Sequence, residues 1–458
     1  MCGIFGIENH PDSAHLTYLS LFALQHRGQE SAGIASTAHG NINFHVGMGI
    51  TSDVFSEKRI EKLSGVSAIG HVRYSTTGSS HIKNAQPLVS KTRHGVLALG
   101  HNGNLTNASS IRKNLEDRGA IFHSSTDSEA VLHLIAHGKG DFEESLIEAL
   151  QVIEGAYSLV ILTPEQMIAC RDPHGFRPLA LGKLGDSYVV SSETTALSLI
   201  KASYIREIEP GEIVFIKKGI LKSVKIPIRK TVSRCVFELV YFSRPDSLVF
   251  GKGVQSVRQA LGRALAQEMK GVKADIVMPV PDSGVPAALG FSRESQIPFE
   301  VGLVRSHYIS RTFIRPSQAL REIAVDLKLS PVKEALKGKK VILIDDSIVR
   351  GTTSRKIAQS LRDAGTQEIH MGITSPPIIS SCYYGIDTPK SEALIANQRS
   401  LDEIREFIGV DSLHYLSLEA MLEAAGGAHF CDACFTKNYP TPTPDQMPIA
   451  AGKGGLER

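Results

Sequence analysis

The chain has 458 residues, 42% hydrophobic and 21% charged, proportions of an ordinary globular protein with room for about two to four domains. Fifty Lys and Arg against 47 Asp and Glu give a formal charge of +3, and no dense basic stripe marks a nucleic-acid surface. Every long apolar window is broken by charge or glycine, which argues against a membrane-spanning helix. Glu8, His10 and Asp12 interrupt any early apolar run that a secretory signal would need, so the cytoplasm is the expected compartment.

The chain opens "MCGIFGIENH", with Cys2 directly behind the initiator methionine. Removal of Met1 would leave a thiol beside its own α-amino group, whose reference pKa is about 7.7–8.0. Such an amine can serve as general base for the thiol without a separate histidine. "AHLTYLSLFALQ" carries helical periodicity, and "GVSAIGHVRYST" and "HGVLALGHNG" read as strands. "DSEAVLHLIAHG" predicts a helix capped by Asp127 or Thr126, and "AYSLVILT", "DSYVVSS" and "GEIVFIKKG" are further strands. To about residue 230 the pattern is layered β structure with few helices.

From about residue 255 the pattern changes. "VQSVRQALGRALAQEM" reads as a helix, "ADIVMPVP" as a buried strand, and "SGVPAALGFSRES" as a loop entering a helix. "KKVILIDD" is a second buried strand, and "SIVRGTTSRKIAQSLRDAG" runs from loop into helix. Strands alternating with helices predict a parallel α/β sheet. The Pro- and Gly-rich tail from 436 to 458 is expected to be loosely ordered.

"VILIDDSIVRGTTS" is the most informative stretch. Asp345 and Asp346 end a strand, and ligands in open α/β sheets bind beyond the carboxyl ends of strands. The loop from Ser347 through Arg350, Gly351, Thr352, Thr353 and Ser354 enters a helix and can wrap a phosphate with N–H groups and hydroxyls. The acid pair suits sugar hydroxyls and Mg²⁺. This segment resembles the phosphoribosylpyrophosphate motif of type I phosphoribosyltransferases. "PVPDSG", with Asp282 and Ser283, stands where that fold places its pyrophosphate loop, and "SRTFI", with Arg311, resembles its mobile closing loop.

In the first half, "CGIFGI", "LQHRGQESAG", "GHVRYSTTG", "HNGNL" and "TDSE" together resemble the glutaminase domain of N-terminal-nucleophile amidotransferases. The resemblance implies a four-layer αββα fold over residues 2–230. It makes Cys2 the nucleophile, with Arg73 on the α-carboxylate of glutamine and Asp127 on its α-ammonium. Asn102 and Gly103 would form the oxyanion hole, worth about 3–4 kcal/mol per donor in other enzymes. A phosphoribosyltransferase domain would follow over 231–435.

Both halves in this order resemble the amidophosphoribosyltransferase family, with "RDPHGFRPL" and "ELVYFSRPDS" joining the motifs above. The resemblance implies ammonia transfer from glutamine to phosphoribosylpyrophosphate, giving 5-phosphoribosylamine, glutamate and pyrophosphate, the first committed step of purine synthesis. It also implies Mg²⁺ at Asp345, Asp346 and Ser283, a phosphate or nucleotide contact at Lys328, purine nucleotides as feedback inhibitors, and a homotetramer. Asp326 stands where many relatives carry a basic residue, which bears on nucleotide regulation. An aminosugar or asparagine synthase would lack "DDSIVRGTTS". A plain phosphoribosyl-binding module would have no use for the glutaminase half, and a degenerate sensor would have lost part of the Cys2, Arg73, Asn102, Gly103 and Asp127 set.

Of six cysteines, Cys431 and Cys434 form a "CDAC" clip that Cys235 and Cys382 could complete. Spacing alone leaves zinc, iron–sulfur and a redox pair open. The bacterial iron–sulfur branch of the family matches at all four positions, which implies a structural [4Fe–4S] cluster. Some members of that branch carry a leader before the nucleophile; here removal of Met1 alone is expected to suffice. Cys170 is expected to be a buried small hydrophobe.

Overall fold

The computed structural model describes residues 1–63, 65–74, 79–227, 230–306 and 329–443. Among them the N-terminal half forms two antiparallel sheets. The first runs, in spatial order, Ser203–Glu207, Ala180–Leu184, Ser187–Ser191, Gly3–Glu8, Ser67–Arg73, Ser31–Ala38, Asn41–Met48. The second runs Ile220–Lys225, Glu212–Lys217, Met167–Arg171, Gly155–Leu162, Gly95–Leu105, Leu88–Thr92.

Alternation along the strands sets the layers. In Gly3–Glu8 every residue is buried. Ile4 packs with Ile69, Val160 and Met167 between the sheets, whereas Phe5 and Ile7 face Leu21 of helix Ser13–Ala23. The period-two geometry of a strand demands this split, and each such side chain contributes about 1.5–3 kcal/mol by leaving water. A side chain at Gly6 would start 2.6 Å from the Met167 sulfur, so this glycine lets the sheets touch. The far face of the second sheet, through Leu97, Leu99 and Leu159, packs on helices Ser128–His137 and Phe142–Val152. The order is therefore helix, sheet, sheet, helix.

The half is richer in helix than its sequence reads. Helices Ala108–Asp117, Phe142–Val152 and Thr194–Leu199 were not expected. The second had a visible start: Asp141 accepts from the Glu144 N–H and Glu144 reaches back to the Asp141 N–H, a reciprocal cap.

The C-terminal half holds a parallel sheet in the order Ile276–Pro279, Lys340–Asp345, Glu368–Ile373, Ser412–Tyr415. Ile342 and Ile344 pack under helices Val254–Glu268 and Val285–Ser295; Val341 and Leu343 pack under helix Thr352–Asp363 on the other face. Burial on both faces explains the continuous apolar run "VILI". Two short strands, Arg234–Cys235 and Phe430–Cys431, pair in parallel and tie the end of the described chain to the start of this half.

The tail is anchored further than its composition suggests. Tyr439 donates to the Ser381 carbonyl at 2.6 Å, and the Tyr384 and Thr441 hydroxyls share a hydrogen bond at 2.9 Å. An aromatic ring with a hydroxyl handle supplies the area and the bond that Pro and Gly lack. The segment "SRTFI", Arg311, Asp326, Lys328 and the end of the tail lie outside the described residues.

Candidate active site

Strand pairing brings the first set of residues together. Gly3 is the register partner of Val72, so Cys2 and Arg73 end on neighbouring strands. Asn102 and Gly103 lie on strand Gly95–Leu105 of the second sheet, and Asp127 precedes helix Ser128–His137. Cys2, Arg73, Gly103 and Asp127 line one pocket of about 270 Å³ with Gln86, His101 and Thr126. The Cys2 N–H donates to Asn102 Oδ1 at 3.3 Å. The Asn102 amide nitrogen is buried without a hydrogen-bond partner among the described residues. Arg73 is 2% exposed and is held by Glu30 Oε1 at 2.7 Å and the Ser79 carbonyl at 3.0 Å.

Asp127 does not cap its helix with a side-chain hydrogen bond, contrary to expectation. Its Oδ2 accepts from the Leu105 N–H at 2.9 Å, and Oδ1 lies 3.6 Å from His101 Nδ1. Burial alone would raise its pKa; His101, Leu105 and Ser128 outweigh burial and hold the carboxyl below the usual carboxylate range. The same pairing raises His101 against its own burial. Gln86 fixes this corner, accepting from the His101 N–H at 2.8 Å and donating to the Ser128 hydroxyl at 3.0 Å. Gln86, His101 and Ser128 were missed in the sequence, although a polar residue beside glycine in an apolar strand ("LGHNG") is a readable signal.

Gly103 admits no side chain, since a Cβ there would stand 2.0 Å from the Ala156 carbonyl oxygen. A loop of the C-terminal half packs on this same glycine. The Cβ of a residue at 385 would lie 3.0 Å from the Gly103 carbonyl group, Asn104 donates to the Tyr383 carbonyl at 2.8 Å, and Arg177 donates to the Tyr384 carbonyl at 3.0 Å. Tyr74 also crosses, its hydroxyl donating to Asp387 at 3.3 Å.

Behind Cys2 lies a buried ion network. Arg27 Nε donates to the Cys2 carbonyl at 3.0 Å, and its other nitrogens meet Glu193 and both carboxylate oxygens of Glu238. Arg177 joins Glu238 at 3.2 Å. Met1 is buried in the same place, and burial lowers its α-amino pKa to about 5.

The second site forms at the carboxyl end of the parallel sheet. Asp345 and Asp346 are both buried, and Asp346 accepts from the Ser283 hydroxyl at 2.6 Å and the Ser347 hydroxyl at 2.7 Å. Burial, then the neighbouring carboxylate, pushes Asp345 well up; burial also raises Asp346. Gly351 opens the helix at φ +71°, a conformation costly for other residues. Arg350, Thr352 and Thr353 are exposed beside it, while Ser354 is buried beneath. Asp282 ion-pairs with Arg305.

Cys235, Cys382, Cys431 and Cys434 line a third cavity of about 320 Å³, walled by Phe176, Tyr384 and Tyr439. All four are free thiols. Burial raises Cys235 to about 11 and pushes Cys431 and Cys434 well up. Among the described residues no three His, Cys, Asp or Glu side chains are close enough to hold a metal ion between them. Cys170 is fully buried, with no partner of this kind, and burial alone raises it. No helix of the described residues is long and apolar enough to cross a membrane.

A glutaminase-type pocket and a sugar-phosphate loop on a parallel sheet, joined through one buried interface, define a glutamine-dependent amidotransferase that works on a phosphoribosyl acceptor. The comparisons agree. The glutamine amidotransferase domain family matches residues 71–199, and the phosphoribosyl transferase domain family matches residues 252–375. Amidophosphoribosyltransferase of Synechocystis sp. is 51% identical over 97% of this chain and 92% of its own; that of Bacillus subtilis is 46% identical over 96% and 94%. A solved structure of the B. subtilis glutamine phosphoribosylpyrophosphate amidotransferase, complexed with ADP and GMP, superposes with a TM-score of 0.91 over 97% of this chain and 99% of that one. The chain belongs to the amidophosphoribosyltransferase family, and its activity is glutamine-dependent amidotransfer to phosphoribosylpyrophosphate in purine synthesis.

Proposed function

We propose that Cys2, once Met1 is removed, is the nucleophile that releases ammonia from glutamine. One observation carries the assignment: Cys2, Arg73, Gly103 and Asp127 share a pocket, with the unpartnered Asn102 amide beside Cys2. The freed Cys2 amine, with a reference pKa of about 7.7–8.0, is the base adjacent to the thiol near neutral pH. It takes the thiol proton as sulfur attacks the carboxamide carbon. The oxyanion is met by the Asn102 amide and the Gly103 N–H. The amine then protonates the leaving nitrogen, ammonia departs, and water cleaves the thioester to glutamate. Arg73 holds the α-carboxylate and Asp127 the α-ammonium.

Domains are assigned as 2–230 and 231–435. In the second, the loop Ser347–Ser354 holds the phosphates of phosphoribosylpyrophosphate, Asp345 and Asp346 hold the ribose hydroxyls, and Asp282, in the "PVPDSG" loop, is assigned to the same substrate. Ammonia forms the bond to C1 as pyrophosphate leaves. Two buried carboxylates that charge poorly alone fit a divalent cation, and Ser283 is in reach of it. Mg²⁺ bound there would offset the charge of the departing pyrophosphate. Arg311 and Lys328 are assigned to the same substrate by motif alone.

The four cysteines line one cavity and offer thiols only, donors that suit a [4Fe–4S] cluster and equally a Cys₄ zinc site; the cluster is chosen on the family motif. Purine nucleotides as inhibitors, a homotetramer and a cytoplasmic location complete the reading; the nucleotides rest on the B. subtilis complex with ADP and GMP. The test is Cys2→Ala. Glutamine-dependent synthesis should vanish while synthesis from added ammonia survives; product from glutamine would overturn the nucleophile.

A further inference from the structure

Between the two sites lies a buried cation that neither reaction uses. Arg258, on helix Val254–Glu268, is 3% exposed and forms no ion pair among the described residues. Its Nε donates to the Leu239 carbonyl at 2.9 Å and its Nη2 to the Ser243 carbonyl at 2.7 Å. Both carbonyls belong to the wide turn that begins at Glu238 and closes with the Ser243 N–H on the Glu238 carbonyl at 3.0 Å. Turns of this five-residue spacing are rare and cluster at functional sites. The Ser243 hydroxyl in turn donates to Glu238 Oε2 at 2.8 Å.

Glu238 is the far anchor of the nucleophile. It grips Arg27 through both carboxylate oxygens, at 2.7 and 3.0 Å, and Arg27 holds the Cys2 carbonyl. At the other end, the acid that most offsets the burial of Arg258 is Asp346, in the phosphoribosylpyrophosphate loop. A guanidinium holds its donors in a rigid plane, and Arg258 uses two of its nitrogens on the turn, so it fixes the angle of the turn as well as its distance. The contacts thus run without a gap from Arg258 to Cys2, crossing the interface once, at Glu238 and Arg27.

We propose that Arg258 is a positioning residue for the nucleophile: from the acceptor side it sets the Glu238 turn, which sets Arg27 and the main chain at Cys2. The inference rests on the reading of Cys2 as nucleophile. It predicts that loss of the Arg258 fork weakens use of glutamine and spares use of ammonia.

Arg258→Lys tests this. Lysine keeps a positive charge at this position but cannot hold two carbonyls in a fork. Glutamine-dependent kcat/KM should fall by about tenfold or more, since small misplacements of a reacting group carry costs of that order. Ammonia-dependent synthesis, measured in the same preparation, should stay within about twofold. Ser243→Ala is the second cut: it removes the hydroxyl on Glu238 and should shift the ratio of the two activities the same way, less steeply. Equal loss of both activities would mean that Arg258 only supports the fold, and no loss of either would mean that the chain of contacts transmits nothing; both results overturn the proposal. A Cys2→Ala control that still used glutamine would instead strike the underlying assignment of the nucleophile.

Discussion

Asn102→Ala should separate catalysis from stability. The Asn102 side chain is fully buried; its oxygen accepts from the Cys2 N–H at 3.3 Å, and its nitrogen has no partner among the described residues. A buried donor left unsatisfied costs about 1–3 kcal/mol. Such a cost is understandable where the donor is reserved for an oxyanion that exists only during the reaction. Alanine removes the donor, so the tetrahedral intermediate loses about 2.7–4 kcal/mol, a fall of roughly 10²–10³ in kcat. Stability moves by opposing terms. Relief of the orphaned donor gains about 1–3 kcal/mol, and loss of the hydrogen bond from Cys2 costs about 0.5–1.5 kcal/mol. The small cavity left behind takes up most of the rest. Thermal unfolding should therefore shift by no more than about 4 °C. The assay is glutamate release at saturating glutamine, with ammonia-dependent synthesis as the control for the second site. KM for glutamine should change little, because Asn102 acts on the transition state. Glutamate release within about threefold of the unaltered enzyme would refute the oxyanion role. Parallel collapse of both activities and of the melting temperature would refute the separation.

Gly385→Ala places a Cβ 3.0 Å from the Gly103 carbonyl group, at a position with φ +99°. The strain is about 1–2 kcal/mol, and the push should lower glutaminase turnover more than ammonia-dependent synthesis; a uniform effect would count against the loop as a support of the oxyanion hole. Protein purified without oxygen should carry iron and sulfide, about four of each, and Cys434→Ser should lower both; zinc in their place would overturn the cluster. Glu193 and Glu238 are buried, which raises a carboxyl, yet His26 and Arg27 hold Glu193, and Arg27 holds Glu238, below the usual range. Their folded values lie below their unfolded value of about 4.3, so the stability they contribute is present above that pH and is lost as pH falls through the folded values. Melting temperature plotted against pH should drop on the acid side, and Glu193→Gln should flatten that drop; an unchanged slope would exclude Glu193 as its source.

The chemistry was legible where one short stretch carries it. "DDSIVRGTTS" holds acids, phosphate loop and helix start in consecutive residues, so its sequence order is its geometry. Asn102, Gly103 and Asp127 could be named because motifs mark them, yet they meet Cys2 only because the second sheet and its helix pack against the first; register within the first sheet, which pairs Gly3 with Val72, accounts for Arg73 alone. The cap expected from Asp127 is not formed. An acid before an apolar helix looks like a cap, and only the fold brings Leu105 and His101 close enough to claim its carboxylate. Helix Ala108–Asp117 escaped because it is mostly exposed, burying only Ile111 and Leu115, too few apolar positions for a clear period. Arg27 and Glu238 lie in the motifs "LQHRGQESAG" and "ELVYFSRPDS", but nothing in the sequence shows that, 211 residues apart, they pair.

The Arg27–Glu238 pair ties the two halves together. Hydrophobic side chains of similar volume would hold an interface at less desolvation cost than buried ions. They would also tolerate sliding, because apolar contact has no preferred direction. Arg27 tolerates little: one nitrogen serves the Cys2 carbonyl while the others serve Glu193 and Glu238 from opposite halves. Glu193 is bound in return by the Arg244 N–H at 2.9 Å and the Ser247 hydroxyl at 2.7 Å, both from the C-terminal half. Each half thus completes the other's charges. A rotation between the halves that broke this set would leave charges buried and uncompensated, at about 3–5 kcal/mol for a broken pair. The energetic choice at this interface is therefore angular definition over adhesion, and the group whose angle it defines is the nucleophile.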